Sequence, residues 1–383
     1  MKPANRLKNL PPYLFAELDR AKKKLRDEGA DIIDLSIGDP DMEPPAQLKQ
    51  YLADALNVPE IHRYPSYAGS PEFRTAVADW MSRRHDATVD PNGEVVALIG
   101  AKEGIVHFVM SCINEGDVVV TPSPGYPPYI HATILAGGKT HEFPLTPDTD
   151  FQPDFDSVPA SVWKKAKILF LNYPNNPTSA TATRATFEKA IELARKYDFV
   201  VVNDAAYIDV ASPDNLPLSI LAIPGAKDVA IEFHSLSKTF NICGWRIGWC
   251  AGNRDVIGLI GRFKESVDSG AFTAVQHACA QGMATLEDHI VGMQGIYMSR
   301  RNALTKQLAM MGLQALRSDA GFYVWAKLPK GKSTDFCTNL LEKAHVAATP
   351  GLGFGKHGEG YVRFSLTAST ERINEAIERM AKL

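Results

Sequence analysis

The strongest constraint on this chain is a set of short apolar runs that do not alternate with polar residues. EVVALIG (94–100), DVVVT (117–121), AKILFLN (166–172), FVVVND (199–204) and DVAIEFHS (228–235) are dense in valine and isoleucine. LAGGKTHEFPL (135–145) reads as a further strand. A strand with one wet face shows a period of two, whereas a continuous apolar run is covered on both faces, as in a parallel sheet. Amphipathic stretches stand between several of these runs. In TRATFEKAIELARKY (183–197), Phe187, Ile191 and Ala194 share one helical face at i, i+4 and i+7. Strand and helix in alternation predict an α/β fold around a mainly parallel central sheet.

The two ends read differently. A helix is expected near 13–28, followed by the short run DIIDLSIG (31–38). After the central part come a long helical region at 253–312, GFYVWAKLP (321–329), a helix near 333–345, the runs HVAATPG and GYVRFSLT, and a last helix near 370–382. This pattern predicts that both termini build a smaller α+β domain beside the large one. The expected division is 1–45 (N-terminal arm and part of the small domain), 46–285 (large α/β domain) and 286–383 (small C-terminal domain). A cleft between the two is the default ligand site.

A formal charge of -3 supplies no basic field for nucleic acid or an anionic membrane surface, so neither partner is expected. MKPANRLKNLPPYLF has no continuous apolar core of the secretory kind, and no run is long enough to span a bilayer. The five cysteines are scattered without a CxxC pair, so neither a zinc knuckle nor a redox dithiol is expected, and no metal. Free thiols fit a reducing, cytoplasmic compartment.

Polar residues gather where the strands end. In SLSKTFNICGWRIGW (235–249), Lys238 follows a strand, with Ser235, Ser237 and Arg246 close by in sequence. Ligands of α/β sheets bind at the carboxyl ends of strands. A lysine there can be solvated, salt-bridged or a covalent amine nucleophile. FVVVND ends in Asp204, a carboxylate that must be paired or hydrogen-bonded if buried, and Tyr207 lies three residues on. Asn176 lies in the proline-stiffened loop NYPNNPT (172–178), where it could equally be a turn residue bonding its own backbone. GAKEG (100–104) opens a helix after a glycine, which makes an anion site of the backbone N–H groups. Hydroxyls and a guanidinium added to that site suit a phosphate. One phosphate, one carboxylate, one phenol and one amine match the needs of pyridoxal phosphate in kind and number.

These blocks resemble the class I and II aminotransferases of fold type I, which depend on pyridoxal phosphate. Gly38, RYPSYAGSPEFR (63–74), GAKEG, PSPGYPPY (122–129), NYPNNPT, NDAAY (203–207), SLSKTFNICGWRIGW and YVRFS (361–365) stand in the family's order over nearly the whole chain. The resemblance implies that Lys238 carries the cofactor as a Schiff base and then moves a proton at the substrate α-carbon. Asp204 would pair with the pyridine nitrogen, and Tyr207 and Asn176 would bind the phenolic oxygen. Tyr126 would stack on the ring. Ser235, Ser237 and Arg246, with the backbone of Ala101 and Lys102, would hold the phosphate. Arg363 would clamp the substrate α-carboxylate, assisted by Asn176 and the Gly38 backbone. Tyr64 would reach the phosphate of a second subunit, so a homodimer with shared sites is implied. The substrates would be an L-amino acid and a 2-oxo acid.

Within the family the blocks are most similar to the branch acting on LL-diaminopimelate. That enzyme would work against tetrahydrodipicolinate, glutamate and 2-oxoglutarate in lysine biosynthesis. Alanine, aspartate or methionine are alternative substrates, and a cysteine-conjugate β-lyase would use the same residues. A non-catalytic regulatory protein is a rival reading; such proteins usually carry a DNA-binding module, which this sequence is not expected to contain. Ser179 and Cys243 depart from the family's usual glycine and threonine.

Overall fold

In the computed structural model, which describes residues 1–11, 14–211, 215–318 and 320–383 without the side chains of Leu14 and Phe15, the apolar runs become strands. In chain order these are β1 (Ile33–Asp34), β2 (Val95–Leu98), β3 (Val118–Ser123), β4 (Lys139–Pro144), β5 (Ala166–Leu171), β6 (Val200–Asp204) and β7 (Ala230–Ser235). There follow β8 (Gly248–Gly252), β9 (Gln314–Ala315), β10 (Tyr323–Lys327), β11 (Val346–Ala347), β12 (Thr349–Pro350) and β13 (Tyr361–Ser365). Seven strands form the central sheet in the order β2–β8–β7–β6–β5–β3–β4. The pairs from β4 to β7 are parallel, while β8 runs antiparallel between β2 and β7. Every residue of β2, β7 and β8 is buried, and in β7 the polar Glu232 and His234 lie 2.9 Å from each other.

The strand β8 has no counterpart in the sequence reading. GWCAG carries none of the β-branched residues that mark a strand, and its identity is decided by close packing. A Cβ on Gly248 would lie 2.5 Å from the carbonyl oxygen of His234. Only a residue without one lets β8 close on β7 there.

Two long expectations shorten. The region 253–312 is three helices, Arg254–Val267, Thr273–Thr285 and Glu287–Met310. Asn253 caps the first by accepting from the Val256 N–H, and Asp268 Oδ1 accepts from the Gly270 N–H in the break that follows. The run 135–145 is a helix end and a strand, because Leu135 closes the helix Pro128–Leu135 and β4 starts at Lys139. The helix expected near 13–28 is Leu14–Asp27, and residue 13 lies outside the described residues.

A second, antiparallel sheet has the order β12–β13–β10–β9, and β1 pairs in parallel with β11. The amino-terminal strand is thus bonded to the carboxyl-terminal part of the chain. Lys22, on the helix Leu14–Asp27, is 2% exposed, and its ammonium lies 2.8 Å from Asp34 and 2.7 Å from Asp19. A buried ammonium without those partners would be costly, and the Asp34 pair ties the helix to β1.

Candidate active site

Parallel neighbours bring their carboxyl ends to one edge of the sheet. Thus Asn172, Asp204 and Ser235, at the ends of β5, β6 and β7, line the same cavity of about 410 Å³. The one-turn helix Leu236–Thr239 continues β7 and carries Lys238 into it. Lys238 Nζ donates to the Gly38 carbonyl at 2.7 Å and lies 3.2 Å from Cys243 Sγ. Burial raises the Cys243 thiol, with the Lys238 ammonium acting against it.

Asp204 is 4% exposed. Burial pushes its carboxyl up to about 6, while the hydrogen bond from Tyr129 pulls in the other direction. The Asn172 side-chain amide donates to the Asp204 backbone carbonyl at 2.6 Å. Tyr207 lines the same wall, its hydroxyl 3.0 Å from that of Tyr323. Tyr126 also lines the cavity and meets Tyr129 edge-on at 5.7 Å.

The other end of the cavity collects anion donors: Ala101, Lys102, Ser235, Ser237 and Arg246. Gly100 has φ of +92° and caps the helix Ala101–Cys112 without a side chain. A Cβ there would lie 2.2 Å from the Arg246 guanidinium, so glycine lets that cation approach the helix start. The Ile99 peptide is held on both sides. Glu103 Oε2 accepts from its N–H at 3.0 Å, and Arg246 donates to its carbonyl at 3.3 Å. Glu103, His107 and Asp268 come close enough to hold a cation, and the buried Lys264 ammonium supplies one, 3.2 Å from Glu103 and 2.9 Å from Asp268.

Two of the expected residues lie outside the cavity wall. Arg363, on β13, is 3% exposed and stands behind Asn176. Its Nη1 donates to Asn176 Oδ1 at 2.8 Å and its Nη2 to Ser36 O at 2.6 Å. The guanidinium carbon lies 4.2 Å from the Tyr323 ring centroid and 4.7 Å from that of Phe354. Asn176 and Gly38 both line the cavity. Tyr64 is 89% exposed and does not reach the cavity of its own chain.

A family model described as aminotransferase class I and II matches residues 30–380. The chain belongs to the class I and II aminotransferases. An LL-diaminopimelate aminotransferase of Aquifex aeolicus (strain VF5) is 49% identical over 381 residues, covering 99% of this chain and 98% of that protein. One from Syntrophobacter fumaroxidans is 48% identical over the same shares. Among solved structures, substrate-bound BacF from Bacillus subtilis has a TM-score of 0.94 at 33% identity, covering 100% of this chain and 97% of that one. A probable N-succinyldiaminopimelate aminotransferase from Thermus thermophilus has a TM-score of 0.90 at 35% identity, over 96% and 99% of the two chains.

This aminotransferase has the family's fold type I architecture and depends on pyridoxal phosphate. The residues present fit that group. A buried carboxylate, a lysine and a cradle of hydroxyl, guanidinium and helix N–H donors face one another across a single cavity. Among the described residues no helix is long and apolar enough to cross a membrane.

Sequence reasoning missed Tyr129 and Tyr323. Tyr129 is the last residue of PSPGYPPY and Tyr323 lies in GFYVW, but nothing in their spacing ties them to Asp204 or Tyr207. Cys243, a departure from the family's usual residue, touches Lys238.

Proposed function

We propose that this aminotransferase exchanges an amino group between LL-diaminopimelate and 2-oxoglutarate, the biosynthetic direction being tetrahydrodipicolinate plus glutamate plus water to LL-diaminopimelate plus 2-oxoglutarate. The observation that carries this is identity of 45–49% over 99% of the chain to LL-diaminopimelate aminotransferases. The solved aspartate aminotransferase mutant of Thermus thermophilus stands at 28%. The reading places the protein in lysine biosynthesis, and its five unpaired thiols suit the cytoplasm.

Pyridoxal phosphate, when bound, supplies an electron-accepting ring that stabilises negative charge at the substrate α-carbon. Asp204 would face the pyridine nitrogen, and its carboxylate form would favour a proton there by pairing. Tyr207 and Asn176 would hold the phenolic oxygen, and Tyr126 would lie against the ring. Ser235, Ser237, Arg246 and the N–H groups of Ala101 and Lys102 bind the phosphate. Lys238 Nζ would hold the cofactor and would move the proton at the substrate α-carbon, a reading supported by its 2.7 Å contact with the Gly38 carbonyl, beside the group proposed to meet the substrate. Arg363, Asn176 and the Gly38 backbone bind the α-carboxylate. Tyr64 is almost fully exposed in the single chain, which supports its reaching the phosphate of a partner in a homodimer.

The test is the half-reaction. The protein loaded with pyridoxal phosphate is mixed with one amino acid at a time, and the conversion of its absorbance band to that of the aminated cofactor is followed. Fast conversion by LL-diaminopimelate and glutamate, with alanine, aspartate, methionine and N-succinyl-LL-diaminopimelate slow, is expected. Fast conversion by one of the latter instead would keep the family and replace the substrate.

A further inference from the structure

The helix Leu236–Thr239 is a single turn. One turn is the costly nucleus of a helix, so contacts from outside have to hold it. Its last residue, Thr239, is 2% exposed and donates its hydroxyl to Asp209 Oδ2 at 2.9 Å. The same proton has only a longer alternative, the Ser235 carbonyl at 3.3 Å.

Asp209 is buried, and its contacts come from three other parts of the fold. Oδ1 lies 2.8 Å from Arg84 Nε and 3.2 Å from His85 Nε2, at the end of the helix Pro71–His85. Its backbone carbonyl accepts from Gln294 Nε2 at 2.7 Å, on the helix Glu287–Met310. Burial opposes ionisation of this carboxyl, and His85 and Arg84 overcome it and hold the group below its ordinary range. Arg84 and His85 face one oxygen, and the Thr239 hydroxyl takes the other.

The position of Asp209 in the chain gives this frame a purpose. Asp204, Tyr207 and Asp209 lie in one short segment that leaves β6. The first two face the cavity and the third grips the turn that carries Lys238. We propose that Asp209, acting through the Thr239 hydroxyl, is a positioning residue that sets where the Lys238 amine lies relative to the Asp204 carboxylate. The two groups must engage opposite sides of one small cofactor, so an amine displaced by an ångström is a large loss in reactive geometry. The inference rests on Lys238 being the lysine that carries the cofactor.

The full chain, freed of cofactor by an amino-acid wash and dialysis, is mixed with pyridoxal phosphate alone. Growth of the lysine-linked absorbance band reports covalent capture, and no substrate is present, so failure of the diaminopimelate reading leaves this result untouched. Lys238→Ala supplies the spectrum of cofactor bound without the bond. Thr239→Val keeps the shape of the side chain, removes the hydroxyl and leaves Asp209 with Arg84 and His85. Capture is expected to slow about tenfold or more in Thr239→Val, the loss of a hydrogen bond to a charged group. Thr239→Ser, which retains the hydroxyl, is expected to stay within about threefold of wild type. Melting of the cofactor-free variants shows that each is folded. Capture by Thr239→Val at the wild-type rate overturns the proposal. Equal slowing in the valine and serine variants also overturns it, because retaining the hydroxyl would then give no advantage. A wild-type chain that binds the cofactor without forming the band removes the Lys238 reading and this inference together.

Discussion

The Tyr129 hydroxyl donates to Asp204 Oδ2 at 2.7 Å, with both side chains buried and Tyr129 stacked on Phe170 at 4.5 Å between ring centroids. The stacking holds the phenol at the carboxylate, and the hydrogen bond favours the ionised form of a group that burial drives the other way. In the role proposed for Asp204, beside a protonated ring nitrogen, the carboxylate would need that support.

This balance gives a pH signature in the cofactor-free protein. Asp204 has an ordinary value of 3.8 and is raised to about 6. Between those values the native state keeps a proton that the unfolded chain has released. The contribution of this group to stability therefore falls as pH rises through the window and is lost above about 6. Asp204→Asn removes the titration. The stability of wild type minus that of the variant should fall by about 2–3 kcal/mol from pH 4 to pH 7, measured by urea unfolding. A flat difference would show that Asp204 does not take up this proton.

Arg363 donates hydrogen bonds to Asn176 Oδ1, Ser36 O and Thr349 Oγ1 while stacked against Tyr323. A lysine ammonium cannot reproduce that planar fork. Arg363→Lys should raise KM for the amino donor and the oxo acid alike, by about 10- to 100-fold, with a smaller change in kcat. Steady-state kinetics with each substrate varied in turn decide it; an unchanged KM removes Arg363 from substrate binding.

Glu103 accepts the Ile99 N–H next to the glycine that opens the helix Ala101–Cys112, proposed to bind the cofactor's phosphate, and it also pairs with Lys264. Glu103→Ala frees that peptide while Lys264 keeps Asp268. The dissociation constant for pyridoxal phosphate should rise about tenfold. Equilibrium dialysis without any amino acid measures it, and an unaltered constant would mean that the peptide is held well enough by Arg246.

Ser179 stands where the family usually has glycine, and its φ is +61°. The left-handed conformation disfavours serine by about 1–2 kcal/mol. Its hydroxyl offsets part of this by donating to the Tyr323 carbonyl at 3.2 Å, a buried bond worth about 1 kcal/mol. Ser179→Gly relieves the first and loses the second, so stability should change by less than about 1 kcal/mol. A larger loss in urea denaturation would assign the Tyr323 contact more weight than strain.

The elements that could be read from the chain alone are those whose cause is local. Short runs dominated by apolar residues announced β3, β5, β6 and β7, and the 3.6-residue period announced the helix Arg184–Tyr197 with Phe187, Ile191 and Ala194 buried on one face. Residues at strand ends were legible because a parallel sheet brings such ends to one edge. β8 escaped because it is held by its neighbours, with Gly248 chosen by the carbonyl it must pass. The break at 268–272 escaped because apolar periodicity carries across a cap.

What the sequence by itself determined was the inventory: an α/β sheet, a lysine, a carboxylate, a phenol and an anion cradle at strand ends. Tertiary structure alone decided who supports them. Tyr129 meets Asp204 across 75 positions of chain, Tyr207 meets Tyr323 across 116, and Arg363 reaches Asn176 across 187. Hydrogen bonds act over about 3 Å and carry no trace of sequence separation. Only the folded sheet brings such distant partners together, and so only it shows which buried charge is balanced and by what.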